Sequence, residues 1–169
     1  MAVNLALATL LTGITTYTDI RSMKIYNMHV AVFFGLGLLS VVVQKQYSLL
    51  VSAGLILALY LFFYAGSGIM SNIAISFGLM PIPEGQSPLG GGDVKLAVVL
   101  ALLMGHYPVL LGTLAGVLLL VLWQGLKLWK QTGSAKAAVD LALGRVHAPA
   151  PFGPFLGVCS LCAAIPYVI

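Results

Sequence analysis

Charge is what this chain has least of: eight Lys and Arg and four Asp and Glu in 169 residues, 7% of the total, against 60% hydrophobic residues. With a mean hydropathy of +1.07, a soluble globule could not solvate such a surface, and that class is excluded. Cysteine is nearly absent too. Cys159 and Cys162 form one C-x-x-C within an apolar stretch, too few ligands for a structural zinc site, and they read as packing residues. Basic stripes with interleaved aromatics are missing, so the net charge of +4 calls for no nucleic acid. Ser71 and Ser87 have no evident His partner, which argues against a serine nucleophile. His29, His106 and His147 lie near different helix ends, which argues against a shared metal site. No internal repeat and no low-complexity tract occurs, and residues 1–169 read as one membrane-embedded domain.

What the chain does have is apolar runs close to the roughly 20 residues that cross a bilayer as helix. We read an all-α, polytopic membrane protein with six transmembrane helices and short loops. The helices run from about Val3 to Thr18, Met28 to Val43, Leu49 to Ala65, Val94 to Gly105, Pro108 to Leu126 and Phe152 to Ile169. The first run follows Met1-Ala2-Val3-Asn4, which lacks a basic start, so it is expected to stay as a helix. Val94 to Gly105 would be only about 18 Å long, so either its start is re-entrant or the membrane is locally thinned. Ile69 to Ile82, broken by Ser71, Asn72, Gly78 and Pro81, reads as interfacial or re-entrant. Three stretches are not membrane-like: Gly66 to Gly92, His106 to Tyr107, and Lys127 to Pro151. Within the last, Ser134 to Val146 has the spacing of a short amphipathic helix on the cytoplasmic surface.

Charge placement tests that topology. Lys and Arg collect in cytoplasmic loops, and with the N-terminus outside those loops hold Arg21, Lys24, Lys95, Lys127, Lys130, Lys136 and Arg145, leaving only Lys45 across the membrane. Trp123, Trp129 and several tyrosines suit the interfacial belt. The same topology places Asp19 and Asp93, two of the four acidic residues, near the cytoplasmic surface. Glu84 and Asp140, also cytoplasmic, are either solvated charges or an attraction for a basic peptide.

Asp19 lies in Thr18-Asp19-Ile20-Arg21, followed by Lys24-Ile25-Tyr26-Asn27. An Asp in the last turn of a helix faces the negative end of its dipole and gains nothing there, which points to use rather than to a solvated pair with Arg21. Asp93 follows Gly90-Gly91-Gly92 and precedes Val94-Lys95. N-capping would explain Asp93. It would not explain three glycines, which take positive φ values and let a substrate backbone approach closely. Two nearby carboxylates cannot both ionise easily: one keeps its proton while the other takes a proton from a water that attacks a peptide carbonyl. This is aspartic protease chemistry, and it needs no metal, cofactor or covalent intermediate. Lys95 either biases the pair or anchors its helix at the interface.

Asp19 with Arg21 and Ile25-x-Asn27, then Gly90-x-Gly92-Asp93-x-Lys95-Leu96, then Pro151-Phe152-Gly153-Pro154-Phe155-Leu156 before the last helix, together resemble the prepilin peptidases, also called type IV leader peptidases. The resemblance spans nearly the whole chain in the right order. It implies a membrane aspartic protease of the bacterial inner membrane that cleaves the short basic leader from pilin precursors at the cytoplasmic face, ahead of the pilin's hydrophobic helix. By that likeness Asp19 and Asp93 would be catalytic, with Gly90, Gly91, Gly92, Asn27 and Lys95 around the substrate. The partners implied are a prepilin and the lipid bilayer. The family usually has Pro where this chain has Tyr26, a departure that bears on the rigidity of the loop. Longer members carry paired C-x-x-C motifs and a methyltransferase activity for which this chain has no room, so a peptidase like the short forms of tight-adherence (Flp-type) pili is expected.

Two other readings start from the same residues. A small non-enzymatic transporter or assembly subunit would use the aspartates for protons or cations. Presenilin-type and signal peptide peptidase-type proteases also use Gly-x-Gly-Asp, but they place Tyr directly before the first Asp, where this chain has Thr18; they would cut inside the span.

Overall fold

Runs of Leu, Val, Ala and Ile with few breakers satisfy their backbone hydrogen bonds internally as helix, which an apolar surrounding demands. The structure is a computed structural model, and it describes residues 2–22, 24–65, 91–134, 136 and 152–167. Among these lie six α-helices and no strand: α1 Ala2–Ser22, α2 Asn27–Gln44, α3 Ser48–Ala65, α4 Gly91–Met104, α5 His106–Thr132 and α6 Gly153–Ala164, followed by a 3-10 turn over Ile165–Tyr167. The all-α expectation holds. The readings of Ile69 to Ile82 and of nearly all of Ser134 to Val146 lie outside the described residues, as do Ser71, Ser87, Glu84, Asp140, Arg145, His147 and Gly90.

Several helix ends differ from the sequence reading for local reasons. α1 continues past Thr18 to Ser22, and the hydroxyls of Thr18 and Ser22 find their acceptors inside it, at the carbonyls of Thr15 and Thr18. α5 runs on to Thr132, where Gly133 at φ +66° donates its N–H to the Trp129 carbonyl and ends the helix. α6 is shorter than expected, tightening into the 3-10 turn that contains Pro166.

Two helices, α2 and α5, are long and apolar enough to cross a membrane, and the apolar stretches Ser48–Phe63 and Gly153–Tyr167 are shorter. The other two do not meet that mark. For α4 the reason lies in its surroundings: it packs against each of the other five helices. Its residues Leu96, Ala97, Val99, Leu100, Ala101, Leu102 and Leu103 are all buried, and a helix apolar all round belongs in the middle of a bundle. A helix enclosed by protein need not match the thickness of a bilayer.

Short turns make α1 to α3 alternate in direction, as do α4 and α5. Residues 45–47 join α2 to α3, with Lys45 in the left-handed region, and Gly105 alone joins α4 to α5 at φ +89°, a value that favours glycine. The ends of the bundle therefore differ. One gathers the close of α1 and the starts of α2 and α4; the other is pinned by polar contacts. There the Asn4 side-chain carbonyl accepts from Ser40 Oγ and from Gln44 Nε2, and Ser52 Oγ meets His106 Nδ1 at 2.9 Å. α5 and α6 approach most closely at Gly112, where an added Cβ would lie 2.5 Å from the Ser160 backbone nitrogen, as in membrane bundles whose small residues let backbones touch.

Candidate active site

Asp19 is buried, 6% exposed, one turn before the end of α1. Its carboxylate Oδ2 accepts the backbone N–H of Gly153, the first residue of α6, at 3.1 Å. Asp19 still opposes the dipole of its own helix, and it sits as well at the positive N-terminal end of α6. Asp19 follows the apolar run that closes at Thr18, and burial pushes its carboxyl above the usual range while the Gly153 N–H pulls it back down.

Asp93 is reached from the other side. α4 begins at Gly91, so Asp93 is its third residue, in the first turn, rather than the N-cap that the sequence reading allowed. The carboxylate lies at the positive end of α4. Gly91 and Gly92 are correspondingly helical, and among the described residues the positive-φ glycines are Gly105 and Gly133. The expected positive φ is therefore overturned for both; Gly90 lies outside the described residues. At Gly92 an added Cβ would stand 3.0 Å from the Ile25 Cβ, so the close contact there is with this chain's own side chain, whereas Gly91 faces open space.

Ile25 carries no role that the sequence alone reveals, yet it joins the two sides of the site. Its side chain also lies against Gly153, where an added Cβ would meet Ile25 Cδ1 at 3.1 Å and Asp19 Oδ2 at 2.9 Å. One side chain from the α1–α2 loop thus separates two helix N-termini, those of α4 and α6, and glycine on each lets them close on it. The visible signal was the Phe152-Gly153-Pro154 motif, read only as part of a resemblance.

These pieces enclose a cavity of about 400 Å³ lined by Asp19, Lys24, Asn27, Gly91 and Asp93, with Ile25, Tyr26 and Gly92 completing its wall. Of the expected residues, Asp19, Asp93, Gly91, Gly92 and Asn27 are brought together. Lys95 sits beside them, its Nζ donating to Asn27 Oδ1 at 2.8 Å. Lys24 and Tyr26 join the lining without having been singled out as site residues. Tyr26 precedes α2 at φ −72°, ψ 128°, the conformation a proline would impose, so the loop keeps that shape without one. Cys159 and Cys162 lie one turn apart on α6, both free thiols. His106 opens α5 at the opposite end of α4 from Asp93.

Two carboxylates lining one cavity, one of them buried, are groups of the kind that supply a general acid and a general base. No curated protein and no solved structure matches the chain. A family model, the type IV leader peptidase family, matches residues 5–125. That stretch holds both aspartates and Asn27 and stops short of α6. Covering well over half of the sequence, the match makes this chain a member of the type IV leader peptidase family, and hence a peptidase.

Proposed function

We propose that this protein is a membrane aspartic endopeptidase that removes the leader from type IV, Flp-like prepilins at the cytoplasmic face of the bacterial inner membrane. The observation that carries the reading is the shared cavity: Asp19 from α1 and Asp93 from α4 line one space in a chain of a peptidase family. Burial of Asp19 favours its keeping the proton. It then hydrogen bonds the scissile carbonyl while Asp93 takes a proton from water; the hydroxyl adds to the carbonyl carbon, and the tetrahedral intermediate expels the amine, which leaves with that proton. Gly91, open to the cavity, leaves room for a backbone to lie alongside.

All six helices are taken to span the membrane, α1 over Val3 to Thr18, with α4 inside the bundle. Arg21, Lys24 and Lys95 then share the face that carries the aspartates, and Lys127 and Lys130 near the end of α5 fall on the same side, while Lys45 caps α2 at the other, in accord with positive charge gathering in the cytoplasm.

The test is cleavage of a co-expressed Flp-type prepilin, with the new N-terminus determined by mass spectrometry. Cleavage between the basic leader and the apolar helix is expected, and Asp19→Asn or Asp93→Asn should each lower the rate by about a thousandfold or more while the protein still inserts. An Asn variant with near-native turnover, or a cut within the apolar helix, overturns the proposal.

A further inference from the structure

α2 and α3 are joined by residues 45–47, and both pack on α4, yet they scarcely touch each other. Near the joining turn they converge, with Val41 of α2 and Ala53 of α3 meeting over Leu102 of α4. Gly37 holds α2 close to α4 there, since an added Cβ would stand 2.9 Å from the Leu102 side chain. Away from that apex the two helices part. The wedge between them is an apolar groove of about 360 Å³, walled by Ala31 and Phe34 on α2 and by Leu57 on α3, with Val94 and Val98 of α4 as its floor.

We propose that this groove is the lateral way in for the substrate and the seat of the apolar segment that follows its cleaved bond. The inference rests on the peptidase reading and adds where the substrate lies. Three observations carry it. The groove adjoins the cavity of the aspartates, and Asn27 lines both. The floor begins at Val94, the residue after Asp93, so it starts one position from a carboxylate of the cavity. The two spaces also differ in kind: the cavity presents Asp19, Asp93 and Lys24, while the groove, apart from Asn27 and Lys95, presents Val, Phe, Leu and Ala. A substrate with a basic leader joined to an apolar helix matches that division in one orientation only, with its leader toward the carboxylates and its apolar side chains, at helical spacing, in the groove. The Lys95–Asn27 hydrogen bond, 2.8 Å and exposed, crosses the junction between α4 and α2 and marks where the two halves meet.

Ala31 is exposed, so it can be enlarged without disturbing the core. Two synthetic peptides serve as probes in detergent: one carries a basic leader and an apolar helix of about twenty residues, and the other stops a few residues after the cleaved bond. With Ala31→Trp, KM for the long peptide should rise about tenfold or more with kcat within about twofold, the short peptide should be cleaved as before, and the melting temperature should be unchanged. A photoreactive phenylalanine analogue in place of Ala31 should crosslink to the long peptide, while the same analogue in place of the exposed Leu118 on α5 should not. Equal slowing of both peptides, no change for either, or crosslinks from position 31 to lipid or to this chain's own residues in place of the peptide would overturn the groove assignment. Failure of the unmodified protein to cleave the long peptide would instead sink the peptidase reading itself, and peptide capture at position 31 would still report on the groove.

Discussion

The Asp19 carboxylate accepts the backbone N–H of Gly153, 134 residues further along the chain, at 3.1 Å. This bond fastens the end of α1 to the start of α6 and orients one of the two carboxyl groups on which the proposed chemistry depends. Several of its consequences are measurable.

Asp19→Asn should lose cleavage and melt at least as high as the unmodified protein. Asn keeps an acceptor for Gly153 but carries no charge to bury. The sign follows from the raised carboxyl of Asp19: the folded state binds this proton more tightly than the unfolded chain. Its contribution is therefore full below the ordinary carboxylate range and is lost as pH rises through the folded value. Melting temperatures in detergent from about pH 4 to about pH 8 should fall less steeply for the Asn variant. A lower melting temperature for that variant throughout would contradict the burial argument.

Gly153→Ala should lower the initial cleavage rate at least tenfold and cost about 1–3 kcal/mol of stability. The new methyl lands 2.9 Å from Asp19 Oδ2 and 3.1 Å from Ile25 Cδ1, and a shift of about 1 Å at a catalytic group can cost a hundredfold. Rate and chemical denaturation on one preparation decide it; a native rate means that Gly153 does not position Asp19.

The two cavity glycines should separate. Gly92→Val presses on Ile25, whose Cβ stands 3.0 Å from where the new Cβ would be, and should suppress cleavage more than it lowers the yield of folded protein. Gly91→Ala meets nothing within 4 Å, removes a glycine from a helix, and should stabilise the protein by about 0.5–1 kcal/mol. Matched losses of rate and stability at Gly92 would show that it serves packing alone.

Tyr26→Pro should be accepted with cleavage within a few-fold of native and a stability gain of about 0.4–1 kcal/mol, because the residue already holds φ −72° and proline narrows the unfolded ensemble. Thermal denaturation checks it. A loss of stability would mean that the Tyr26–His29 ring contact, 5.7 Å between centroids, contributes more than the backbone constraint.

Much of this protein is local in origin, and so was legible from residue order. Hydropathy marked the helical stretches, because a run such as Leu96 to Leu103 satisfies its backbone only as helix when water is absent. The sparse charges marked the ends of those stretches, and the carboxylates at Asp19 and Asp93 stood out because so few exist. Helix ends were less legible: α1 runs past Thr18 to Ser22, and α5 runs past Leu126 until Gly133 stops it.

Which helix faces which was not legible. Helices that are apolar on nearly every side carry almost no pattern to distinguish a neighbour from lipid, since lipid chains are as apolar as Leu. Only the assembled bundle decides that α4 lies at the centre, that Gly92 and Gly153 both close on Ile25, and that α2 and α3 part over Val94 and Val98. The same reason governs Asp19. Its own turn of helix dictates an unfavourable dipole, and only the packing of α6 against α1 supplies the N–H that offsets it.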